Sequence, residues 1–207
     1  MKKIVFCNIS MKEDKYIEKC EYKSNDLSLP VSEKEVIYPI TAFLEKTLSA
    51  EDELKVIMLV KKDPHGNYEK NIEMFREEFL DANKEIGAKY EFKIIDTEFS
   101  EDQEIHEFLM DKIVEEIENG AHILADITYG PKDLPIVLFS ALNFAEKFLG
   151  CDIDNIIYGQ ANFVGGKPEN TKICDLVPLF YLNTLTNTIH CDDPDKARKM
   201  LKVLLSI

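Results

Sequence analysis

Short, continuous apolar runs recur along this chain, and each is followed by a stretch whose apolar residues fall at helical spacing. Lys3–Asn8, Leu54–Val60, Tyr90–Asp96, Ala121–Asp126 and Asn155–Tyr158 read as strands. Between them, residues 35–48, 68–86, 102–119 and 134–149 read as helices, with Gly87, Gly120 and Gly150 placed as C-terminal caps. Alternation of strand and helix demands a parallel sheet with right-handed crossovers. Runs that are apolar throughout, without alternation, suit strands covered on both faces. The expected fold is therefore α/β: a Rossmann-like, doubly wound, mainly parallel sheet with flanking helices. A further strand is expected over residues 171–177, while 179–189 stays open. Asp193-Pro194 has the capping pattern that starts a terminal helix, running to about Ile207. Residues 11–32 read as a long polar loop with room for a short hairpin, able to close over a ligand. One domain over 1–207 is expected, with 179–207 as a C-terminal extension.

The formal charge is −14, from 25 basic and 39 acidic residues. Such a field disfavours long DNA or RNA, yet backbone N–H groups and one or two lysines can hold a small nucleotide in a local pocket. No apolar run reaches the roughly 18 residues a membrane helix needs, and Met1–Asn8 reads as a first strand rather than a signal peptide. The five cysteines are odd in number and widely spaced, with no C-x-x-C, which suggests reduced thiols in a cytoplasm. The four histidines lie in separate segments, so no metal site is expected. The phosphate-binding G-x-G-x-x-G, the P-loop and the G-x-S-x-G elbow are all missing, and no cofactor is expected.

In a doubly wound sheet of order 3-2-1-4-5 the first and fourth strands are neighbours, and ligands bind where their carboxyl ends meet. Cys7-Asn8-Ile9-Ser10 should there face Asp126-Ile127-Thr128-Tyr129-Gly130, followed by Pro131 and Lys132. Asn8, Ile9, Asp126, Thr128, Tyr129, Gly130 and Pro131 are the candidate ligand-binding residues. A simpler reading stands beside this one: Asn8 and Ser10 bond to loop backbone, Asp126 caps the turn, and Gly130 and Pro131 shape it. The helix over 134–149 has little polar surface in its first turns, which suggests a homodimer contact.

Asp126-Ile-Thr-Tyr-Gly130, with Lys132, Leu134, Pro135 and the apolar helix, resembles the D-x-T-H-G signature of CRISPR-associated CARF domains. Ile156-Ile-Tyr-Gly159 and Asp175-Leu-Val-Pro-Leu179 look like that family's following segments. Tyr129 stands where the family commonly has His. The resemblance implies a homodimer that binds cyclic oligoadenylate, as the cyclic tetra-adenylate or cyclic hexa-adenylate, across its two-fold axis. No R-x-x-x-x-H effector motif is present, so the expectation is a CARF domain alone: a ring nuclease acting without metal, or a binding-only sensor or regulatory subunit. An unrelated nucleotide-binding dimer of Rossmann type is the third reading. Ser10 and Lys132 look like the residue pair of CARF ring nucleases, Ser10 holding the 2′-OH or phosphate and Lys132 offsetting charge on the phosphoryl oxygens.

Overall fold

The structure is a computed structural model; it describes residues 1–165 and 167–205, the side chains of Asp14 and Lys167 excepted. A six-stranded sheet has the order β5-β4-β1-β6-β7-β8. Its members are β1 (Lys2–Asn8), β4 (Glu53–Lys62), β5 (Lys89–Glu98), β6 (His122–Asp126), β7 (Asp152–Val164) and β8 (Lys167–Asp175). The first five run parallel; β8 returns antiparallel to β7. This is the doubly wound order expected from the sequence, with a hairpin added at one edge.

Helices α1 (Pro39–Thr47), α2 (Tyr68–Asn83), α3 (Gln103–Glu115) and α4 (Asp133–Leu149) flank the sheet. Ile40 and Phe43 of α1 and Phe75 and Phe79 of α2 share one core cluster with Val5, Cys7, Val56 and Met58. The alternate strand residues Phe6, Ile57 and Ala125 are fully buried on the opposite face, where α3 and α4 lie against each other. Burial on both faces is what the unbroken apolar runs required. Gly150 caps α4 at φ +65°, the left-handed conformation glycine enters without a Cβ penalty. Helices α2 and α3 end earlier than expected, at caps Lys84 and Glu116, and Gly87 and Gly120 (φ +74° and +70°) instead lie in the turns into the next strands.

Several boundaries differ from the sequence expectation. The helix expected from Glu35 begins at Pro39, because proline clashes with a helical preceding residue and suits the first helical position. Tyr38 is accordingly extended (φ −99°, ψ 108°). Glu35–Val36 instead forms β3, antiparallel to β2 (Cys20–Glu21). Residues 11–32 are thus not a plain loop: Lys23 donates its N–H to the Thr171 carbonyl and accepts from Ile173, which ties the segment to β8. The open segment 179–189 falls largely within α5 (Val177–Thr188).

The chain divides into two compact units, Met1–Val177 and Pro178–Ile207. In the second, Asp193 caps α6 (Pro194–Leu204) by accepting from the N–H groups of Asp195 and Lys196. The expected end of that helix at Ile207 lies outside the described residues. Among the described residues no helix is long and apolar enough to cross a membrane.

Candidate functional site

The carboxyl ends of β1, β6 and β7 open onto a cleft of about 290 Å³. Ser10 and Lys12 enter it from the segment after β1, Thr128, Tyr129 and Gly130 from the turn after β6, and Tyr158 and Phe163 from β7. Cys7 pairs with Asp126 in the ladder, so the two polar clusters a hundred residues apart do meet.

Their side chains divide into those that build the cleft and those that face it. Asp126 is 1% exposed. Its Oδ2 accepts the Ile40 N–H at 3.1 Å and its Oδ1 the Thr128 N–H at 2.8 Å. The carboxylate therefore caps the turn and serves an unpaired donor in the first turn of α1. Burial raises its pKa to about 6, against the counter-effect of these hydrogen bonds. Glu78 plays a matching part, accepting the Ile37 and Tyr38 N–H groups at 2.8 and 3.0 Å, and burial pushes its carboxyl up as well. As a ligand contact Asp126 is corrected to a scaffold residue.

Ile9 is corrected likewise: its side chain is 1% exposed in the core cluster, and its N–H is spent on the Leu59 carbonyl. Thr128 lines the cleft, but its Oγ1 accepts the Gly159 N–H at 2.8 Å and so ties the β6 turn to β7. Tyr129 donates its hydroxyl to the Ile37 carbonyl at 3.0 Å and meets Tyr38 edge-on at 5.3 Å between centroids. Burial raises this phenol above its ordinary pKa, so it stays a neutral strut. Gly130 has φ of +88°, and a Cβ there would lie 2.9 Å from Leu134 Cδ2 and 3.6 Å from Asn8 Cβ. Pro131 is half-buried, and its carbonyl accepts the Leu134 N–H.

Asn8 lies beneath Gly130, fully buried, and neither its amide oxygen nor its nitrogen has a hydrogen-bond partner among the described residues. Such an orphaned amide costs about 1–3 kcal/mol unless a water or ligand atom satisfies it. Ser10 is 1% exposed overall; its Oγ accepts the Lys12 N–H at 3.2 Å, which leaves its hydroxyl proton to donate. Lys132 is exposed at the start of α4 and is not part of the cleft wall. The lysine in the wall is Lys12, whose Nζ sits 5.4 Å from the Phe163 ring centroid.

Lys12, Tyr158 and Phe163 escape a reading of the sequence alone. Lys12 falls in a segment that reads as loop, and Phe163 lies beyond the residues that read as that strand. Another omission is a buried charge cluster beside the site. Lys61, 2% exposed at the end of β4, places Nζ 3.1 Å from Asp133 Oδ2, and His106 Nε2 is 3.2 Å from the same oxygen. Lys61 also donates to the Ser100 carbonyl at 3.2 Å. The apolar run reads as a strand ending at Val60; β4 in fact continues through Lys62. The cluster fastens the first turn of α4 to the strand beside β1.

Gly159 lets the cleft close at its base. A Cβ at this position would lie 2.3 Å from Pro39 Cγ and 2.8 Å from Tyr22 Cε1, so α1 and Tyr22 reach β7 only over a glycine. Among the described residues no group of three or more His, Cys, Asp or Glu could hold a metal ion. Compared with known proteins, the chain matches no family model, and no curated protein matches it.

Proposed function

We propose that the cleft binds cyclic oligoadenylate and aligns it for its own cleavage. The observation that carries the reading is the meeting of Ser10, Lys12 and the 128–130 turn in one cleft at the switch point of a doubly wound sheet. Resemblance of residues 126–135 to the CARF signature supplies the ligand class. The orphaned Asn8 amide favours a polar ligand, directly or through water.

The reaction needs little from the protein. A ribose 2′-oxygen attacks the adjacent phosphorus and gives up its proton to solvent. The bond from phosphorus to the 5′-oxygen breaks, and that oxygen takes up a proton. The products carry a 2′,3′-cyclic phosphate and a 5′-hydroxyl. Alignment of the attack and stabilisation of phosphoryl charge are the protein's share. Ser10 is placed to donate to the 2′-oxygen or phosphate, and Lys12 supplies the cation; Lys132 stands outside the cleft wall of the single protomer. That position favours a second reading, in which the ring is bound and left intact.

Incubation with cyclic tetra-adenylate and cyclic hexa-adenylate, followed by mass spectrometry, separates the two. Linear products with 2′,3′-cyclic phosphate ends are expected. Intact ligand recovered with the protein makes it a sensor, and ligand that never binds sinks both readings.

A homodimer is part of the proposal. Ile136 near the start of α4 and Phe148 near its end are 68% and 65% exposed, and Ile136 is the apolar residue on its first turns that a second copy of α4 would cover. Ile136→Glu is expected to shift the protein from dimer to monomer in light scattering; an unchanged mass would place the interface elsewhere, or show that there is none.

A further inference from the structure

We propose that β7 carries the base-reading wall of the cleft: a purine stacks on the exposed ring of Phe163, and Lys12 leaves that ring to pair with the adjoining phosphate. This rests on the nucleotide reading above.

Singly exposed aromatic residues are ordinary on protein surfaces. Phe163 differs in its surroundings. It is 58% exposed yet lines a concave cleft, together with Tyr158, which is 40% exposed. The other two tyrosines of the cleft are committed elsewhere: Tyr22 is 4% exposed, and Tyr129 holds the Ile37 carbonyl. Accessible aromatic surface in the cleft therefore comes from β7. Ala161 precedes Phe163 on that wall and leaves room beside the ring.

Lys12 gives the wall its second component. Its ammonium rests 5.4 Å from the Phe163 centroid, an attraction of ring quadrupole and cation that is weak at an exposed site. A phosphate oxygen is a stronger partner for the same ammonium. In a chain of net charge −14, a phosphodiester approaches against a repulsive field, so a cation kept in the cleft matters more than its number suggests. Stacking platform and backbone cation together are the elements by which proteins hold single-stranded nucleotides.

The chain contains no tryptophan, so Phe163→Trp creates a single fluorescent reporter in the proposed contact. Its emission is expected to fall when cyclic tetra-adenylate or cyclic hexa-adenylate binds, whereas Phe108→Trp, on α3 and outside the cleft wall, should not respond. Phe163→Ala should weaken binding about tenfold to a hundredfold, at an exposed position where folding is not at risk. Lys12→Ala should weaken binding and flatten its salt dependence by about one ion. If the parent protein binds but Phe163→Ala binds equally well and the emission of Phe163→Trp stays unquenched, the stacking proposal fails and the nucleotide reading survives. Full affinity in Phe163→Leu would equally overturn stacking, by showing that apolar bulk suffices. Failure of the parent to bind either ring overturns both.

Discussion

Lys61→Met is expected to destabilise the protein by about 3–5 kcal/mol, because it leaves a buried carboxylate without its cation. Asp133 is 8% exposed, and its Oδ1 has no hydrogen-bond partner among the described residues. Lys61 and His106 both address Oδ2. Removing Lys61 strips away the closer of the two and leaves the charge in a medium that solvates it poorly. The double variant Lys61→Met, Asp133→Leu should recover most of the loss, since a buried ion pair exchanged for packed apolar groups is often neutral or stabilising. Urea unfolding of the parent, both single variants and the double variant closes the cycle. A loss below about 1 kcal/mol in Lys61→Met would show that the pair adds little at this position, as exposed pairs do.

Asp126 is expected to make the protein less stable as pH rises through the acid range, opposite to most carboxylates. Its folded pKa of about 6 lies above the ordinary 3.8, and burial is the main cause. Holding the proton is thus easier in the folded state. The corresponding stability is fully present below pH 3.8 and is lost as pH rises through about 6. A shift of this size is worth about 3 kcal/mol in total, of which about 2 kcal/mol falls between pH 4.5 and pH 7. Carboxylates held down by lysines, such as Asp81 beside Lys34, drive the opposite trend, so the whole-protein curve does not isolate the effect. The difference between the parent and Asp126→Asn does. Asparagine has no charge to bury, and its altered hydrogen bonding to Ile40 and Thr128 adds an offset that does not vary with pH. Stability of the parent relative to the variant should fall by about 2 kcal/mol between pH 4.5 and pH 7. Parallel curves would mean that Asp126 titrates at its ordinary value despite its burial.

Both predictions concern side chains that read as surface or ligand groups in the sequence and are interior in the fold. Asp126 follows a buried strand and precedes a Gly-Pro turn, the usual setting for a ligand-facing carboxylate. Its direction was decided by α1, whose first turn arrives with an unpaired Ile40 N–H beside it. That approach depends on Pro39 resting over Gly159, two residues far apart in the chain. No local pattern carries such information. Tyr129 turned inward for the same reason, since the Ile37 carbonyl that it holds belongs to the extended entry into α1. Lys61 was hidden because the apolar run ends at Val60 while the strand continues through Lys62; only the three-dimensional arrangement shows Asp133 and His106 gathered around it.

What the sequence determined by itself is the order of elements and their class. Apolar runs of strand length, helical spacing between them and glycines at the helix ends are local signals, each set by backbone geometry within a few residues. They suffice for the doubly wound order, and the order suffices to bring Ser10 and the 128–130 turn to one crevice. Which side chains face that crevice was decided only by tertiary structure. Lys12 and Phe163 face it because the chain after β1 and the far end of β7 close around it, while Asp126 and Ile9 are turned into the core by packing and Tyr129 lines the cleft with its hydroxyl held on Ile37. A side chain's exposure depends on what lies above it, and here that neighbour comes from distant sequence.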